Sequence, residues 1–88
     1  MSQQQVLTIE YGGETIVSKP FDFETMCLMD DVGGGMLRRG REAVSYLFEG
    51  TKVTDTVLKS LPTEEQTELS MKVCKWFRQE MDNAAKNV

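Results

Sequence analysis

The stretch "VLTIEYGGETIVSKP", residues 6 to 20, sets the tightest limit on the fold. Side chains alternate along it, with Val6, Thr8 and Glu10 on one face and Leu7, Ile9 and Tyr11 on the other. A period of two marks a strand with one covered face. Gly12 and Gly13 come next, and a glycine pair supplies the positive φ that a two-residue hairpin turn requires. Thr15 and Val17 then alternate with Ile16 and Ser18. Pro20 closes the second strand, because proline cannot donate to a ladder. A lone two-stranded ribbon is marginal in water, so helices from the rest of the chain must cover its apolar face.

The remaining sequence supplies them. "FDFETMCLMDDVGGG" predicts a helix over about 22–32, with Asp22 as N-cap and Phe21 placed to staple onto the first turn. Phe23, Met26, Cys27 and Asp30 recur on it at helical spacing. Gly33 is the expected left-handed stop. "MLRRGREAVSYLFEG" predicts a second helix over about 36–49. Leu37, Val44, Leu47 and Phe48 form its stripe, the arginines lie off it, and Gly50 ends it. A short third helix, about 54–61, is capped by Thr54 or Asp55 and has Val57, Leu58 and Leu61 as its apolar side. After Pro62 comes the strongest signal, a helix over about 63–85. Thr63 with Gln66 fits a capping box, and Glu64 and Glu65 suit the positive end of the dipole. Leu69, Val73, Trp76, Phe77, Met81 and Ala84 recur along this helix, and the last residues are expected to fray. The sequence predicts a single domain over 1–88: an α+β fold, mainly α, with a β-hairpin over about 5–19 and a bundle of about four helices.

The composition removes most enzyme classes. There is no histidine among the 88 residues, so the commonest metal ligand and the commonest general acid or base are missing. Cys27 and Cys74 are too few for a zinc site and sit in apolar helical contexts, which points to buried thiols; nothing supports a disulfide between them. Asp30 and Asp31 are sequential, so their side chains diverge on a helix. No catalytic constellation forms, and no cofactor or metal is expected. Apolar runs are only a few residues long, so no membrane span is expected. "MSQQQV" has neither a basic nor an apolar leader region, and the cytoplasm is the expected compartment.

"DDVGGGMLRRGRE", residues 30 to 42, must be tested as a phosphate site. Gly35 and Gly40 have the glycine spacing of a P-loop. However, Arg41 stands where that loop needs lysine, Glu42 stands where it needs a hydroxyl, and a helix precedes it instead of a strand. The dinucleotide fingerprint fails at Arg38, where its third glycine belongs. What remains is a helix–loop–helix connection with Gly33, Gly34 and Gly35 as a hinge. Arg38, Arg39 and Arg41 oppose the dipole at the start of a helix. Either they contact an anion or acidic partner, or they form a solvated face or pair with neighbouring Asp30, Asp31 and Glu42, and the number of nearby acids favours the second. The net charge of −4 disfavours nucleic acid, which requires a broad basic surface.

Four short helices cannot bury all of six methionines, four phenylalanines, two tyrosines and a tryptophan. Trp76 and Phe77 have core spacing. Met26, Met29 and Met36 cluster around the glycine loop, and methionine-rich surfaces suit adaptable protein contacts. With Leu37, Phe48 and the three arginines, they form the expected partner-binding set.

"VLTIEYGGETIVSKPFDFETMCLMDD" resembles the start of small phage and prophage tail assembly chaperones: a short hairpin, then a hydrophobic helix with an acidic end. "AVSYLFEGTKVTDTVLKSLPTEEQTELSMKVCKWFRQEM" resembles their helical part. The resemblance covers most of the chain as a pattern, without an invariant motif. It implies a non-enzymatic, cytoplasmic protein of virion morphogenesis in a bacterial host. Such a protein self-associates and binds hydrophobic helical segments of a tape measure or other tail protein; a longer frameshifted form is also implied. The alternative is a small nucleic-acid-binding regulator using Arg38, Arg39 and Arg41.

Overall fold

The computed structural model describes residues 5–86. Strands β1 (Thr8–Tyr11) and β2 (Glu14–Val17) pair antiparallel, with Ile9 opposite Ile16 and Tyr11 opposite Glu14. Gly12 and Gly13 have φ of 62° and 80°, the two positive values that a two-residue turn of this hand demands. Past the strands, the Ser18 N–H donates to the Leu7 carbonyl, and the Leu7 N–H donates to Ser18 Oγ at 2.8 Å. Pro20 has no N–H to offer, and Phe21 donates to Gln5 instead. Leu7 and Ile9 are buried as expected. Tyr11, next to the turn, is exposed.

Four helices follow: α1 (Phe23–Asp31), α2 (Met36–Leu47), α3 (Asp55–Ser60) and α4 (Thr63–Lys86). Asp22 caps α1, its carboxylate accepting from both the N–H and the hydroxyl of Thr25 at 3.0 Å. The buried face of α1 differs from the expected one. Thr25 and Met29 face inward and Phe23 is 71% exposed. The anchor is Phe21, buried one residue before the cap, with its ring edge-on to Trp76 at 5.8 Å between centroids. Steps of four from Phe21 lead to Thr25 and Met29, not to Phe23. The end of α1 also differs. Val32 is extended, and Gly34, not Gly33, takes the left-handed conformation with φ of 96°.

α2 ends at Leu47, two residues earlier than expected, and Gly50 has φ of 85° in the turn that follows. The Lys19 N–H donates to the Leu47 carbonyl, tying the base of the hairpin to this helix end. Thr54 caps α3. The expected capping box at α4 is absent. Gln66 reaches back across the Pro62 break, and its Nε2 donates to the carbonyls of Leu61 and Lys59. Those groups end α3, so Gln66 joins α3 to α4 instead of capping its own helix.

The core gathers Leu7 and Ile9 of the hairpin, Phe21, Met29, Ala43, Val44, Leu47, Phe48, Val53, Leu58, Val73 and Trp76. At 1.5 Å per residue α4 is about 36 Å long, against a longest molecular dimension of 44 Å. Its last core residue is Trp76, and every residue from Arg78 to Lys86 is exposed. The final residues, 87–88, where fraying was expected, lie outside the described part, as do residues 1–4 of the opening segment. Among the described residues no helix is long and apolar enough to cross a membrane.

Candidate partner-binding site

The expected contact residues do not form one patch. Met29 is 0% exposed and Phe48 1%, so both are core residues and neither is available to a partner. Met26 is half-buried against the same core. The others start α2, and helical geometry sends them three ways, since each residue is turned about 100° from the last.

Leu37 and Arg41, one turn apart, line a groove of about 180 Å³ between α2, α3 and α4, with Val44, Leu58, Leu61 and Leu69 as its apolar wall. Arg38 and Glu42 line a shallow hollow over the glycine loop. Arg38 Cδ lies 3.3 Å from where a Cβ on Gly34 would sit, so the side chain folds back over the loop. Met36 and Arg39 line a second groove, of about 350 Å³, whose other wall is α4. Cys74, Phe77, Arg78 and Met81 come from that wall, with Asp82 at its end. Met36 is 44% exposed, Leu37 55% and Met81 48%.

Among the described residues the arginines form no ion pair with Asp30, Asp31 or Glu42. Among the described residues the ion pairs are Lys52–Glu14 and Lys59–Asp55, and neither involves arginine. Arg38 precedes Glu42 by one turn, the weaker order for an ion pair on a helix, and exposed pairs contribute little in any case. Arg39 Nε is buried and has no hydrogen-bond partner. Gly35 caps α2 without a side chain, and no acidic residue occupies the first turn. Neither a side-chain cap nor an acidic residue in its own first turn compensates the positive end of this helix.

Both thiols are free and half-buried. Burial pushes the Cys74 thiol above its ordinary pKa, partly offset by Arg39 and Arg78. Its S–H donates to the Met36 carbonyl at 3.3 Å. Cys27 is also raised, first by desolvation and then by Glu24, Asp31 and Asp30. Both environments favour the neutral thiol over the nucleophilic thiolate.

Of the three clustered methionines only Met36 is exposed, and the exposed methionine opposite it is Met81 of α4. The groove residues Cys74, Phe77, Arg78 and Met81 recur on α4 at steps of three and four, a stripe beside the core stripe of Ser70, Val73 and Trp76. The signal was present, but periodicity alone does not tell an inner stripe from its neighbour.

No protein-family model matches the chain, and no curated protein or solved structure matches it significantly.

Proposed function

We propose that the protein is a non-enzymatic tail assembly chaperone that holds hydrophobic helical segments of a tape measure protein soluble in the bacterial cytoplasm. One observation carries this reading: two grooves with apolar walls flank the start of α2, and Met36, Leu37 and Met81 stand exposed beside them. An assembly chaperone needs apolar contacts weak enough to be displaced, and a net charge of −4 helps keep its complexes in solution. Self-association belongs to the same reading.

The test is a solubility assay. A hydrophobic helical segment of the tape measure protein from the same genome is diluted from denaturant with and without the chaperone, and light scattering is followed. Suppression of scattering at near-stoichiometric ratio is the expected result; equal scattering in both samples sinks the proposal. Arg38, Arg39 and Arg41, none of them in an ion pair among the described residues, favour a second reading, a nucleic-acid-binding regulator. Phosphate binding weakens steeply with salt, whereas apolar binding hardly changes, so a salt titration of each complex separates them.

A further inference from the structure

The α4 stripe continues where its cover stops. Cys74 lies beneath Met36, the first residue of α2, as their 3.3 Å hydrogen bond shows. Beyond Phe77, which still packs its inner side against the core, every described residue of α4 is exposed. Phe77 is half-buried, Met81 is exposed, and Ala85 follows one turn later, also exposed. From Cys74 to Ala85 this strip runs about 16 Å, or three helical turns. Arg39 on α2 and Arg78 on α4 flank it, and both act on the Cys74 thiol as positive neighbours. Neither has an ion-pair partner among the described residues. Against these two cations the groove offers one acid, Asp82.

We propose that this groove docks a helix of a partner protein whose apolar stripe is flanked by acidic residues. The inference rests on the chaperone reading and names the kind of client segment this surface selects. A straight strip three turns long, bounded by the start of α2, matches a helix laid in a groove. Acidic flanks on that helix would reach Arg39, whose Nε is buried without a partner, and Arg78 on the open side. Like charge at a contact is costly and opposite charge selects the partner, so the cations act as a filter. The chain's own net charge does not cancel this, because at physiological salt charges more than about 8 Å away are screened. A second copy docked by a two-fold axis would gather four such cations against two copies of Asp82 in one interface, a poorer charge match than an acidic partner helix.

The probes are two synthetic amphipathic helical peptides with the same leucine stripe, one flanked by glutamate and one by lysine. Binding is read by fluorescence anisotropy. The glutamate peptide is expected to bind, with the lysine peptide weaker by about tenfold or more. Met81→Glu and Arg78→Glu each weaken the glutamate peptide by roughly tenfold, the scale of an interface anchor. Both residues are exposed, so the thermal midpoint should stay unchanged. The bound peptide should also slow alkylation of Cys74 but not of Cys27. Equal binding of the two peptides overturns the inference, as does full binding by the Met81 and Arg78 variants. Sedimentation showing a self-associated chain that Met81→Glu converts to monomer overturns it too, because a second copy is then the occupant. The chaperone reading fails separately. If the glutamate peptide binds selectively while the tape measure segment still aggregates, the surface stands and that function falls. If the segment stays soluble while neither peptide binds, the function stands and this surface falls.

Discussion

Gly40 of α2 lies directly against Ser70 of α4, so closely that a Cβ on Gly40 would sit 2.5 Å from the Ser70 carbonyl oxygen and 2.7 Å from its Cα. Glycine is poor in a helix interior by about 1 kcal/mol relative to alanine, and here that cost permits the close crossing of the two helices. Gly40→Ala should therefore destabilise the protein by about 1–3 kcal/mol, overpacking outweighing the gain in helix propensity. Two of the three obstructing atoms, the Ser70 carbonyl oxygen and Cα, are backbone, so trimming Ser70 to glycine, which removes only the third, its Cβ, should not restore full stability. Urea unfolding checks both; an unchanged midpoint for Gly40→Ala would show that the helices can part at no cost.

The loop glycines should behave differently from Gly40 and from one another. At Gly33 a Cβ meets nothing within 4 Å and φ is not left-handed. Gly33→Ala should be neutral, or stabilising by about 0.4–1 kcal/mol through the unfolded chain. Gly34 has φ of 96°, and a Cβ there meets Arg38 Cδ at 3.3 Å. Gly34→Ala should cost about 1–2 kcal/mol. Thermal melts of the two variants rank them, and the opposite order would place the left-handed residue elsewhere.

What the sequence disclosed and what it hid divide along physical lines. The hairpin, the Asp22 and Thr54 caps and the four helices were legible because each rests on local chemistry, namely turn dihedrals, cap acceptors and periodicity. The phase of α1 was not, because Phe21 packing on Trp76 fixes it, a contact spanning 55 positions, 76 minus 21. The role of Gly40 was hidden for the same reason: only α4 gives it meaning. Nearness in sequence to Asp30, Asp31 and Glu42 does not decide whether the arginine cluster pairs or stays solvated; among the described residues no ion pair includes it. As for the candidate site, the residues that open α2 were legible as a cluster of apolar and basic side chains. The division of its residues among three faces, and the α4 wall opposite, depend on how two helices meet.

Asp22 makes a local rule answer to the tertiary fold. Its carboxylate holds both the N–H and the hydroxyl of Thr25, and Thr25 is fully buried. Asp22→Ala should cost about 1–2 kcal/mol, from loss of the cap and from a buried hydroxyl left without its acceptor. Asp30→Ala on the same helix, exposed, should stay within about 0.5 kcal/mol. Equal effects in denaturant titrations would show that Asp22 acts only through its charge.

Asp55 gives a prediction in pH. A hydrogen bond from Lys59 holds its carboxyl below the ordinary range, against some opposing desolvation, with Lys59 charge, Ser45 and Arg41 helping. A carboxylate whose pKa is lower in the folded state contributes stability above its unfolded pKa and loses it as pH falls through the folded one. Asp55→Asn should therefore be the less stable protein at neutral pH, and the gap to wild type should close in acid. The pair is exposed, so the effect should be small and shrink with salt. A gap that widens as pH falls would reverse the sign of the interaction.

Met29 and Met36 separate core from surface within one methionine cluster. Met29 is sealed in the core and Met36 stands 44% exposed at the start of α2. Met29→Ser removes a buried thioether and introduces a hydroxyl, so it should cost about 2–5 kcal/mol, with any loss of binding following from unfolding. Met36→Ser should leave stability within about 0.5 kcal/mol. If the grooves at this helix start receive the client, Met36→Ser should nonetheless weaken suppression of tape measure aggregation. Unfolding midpoints and light scattering, measured on both variants, give two independent readouts. A stable Met36→Ser protein that suppresses aggregation like wild type would remove Met36 from the binding surface, whatever becomes of Met29.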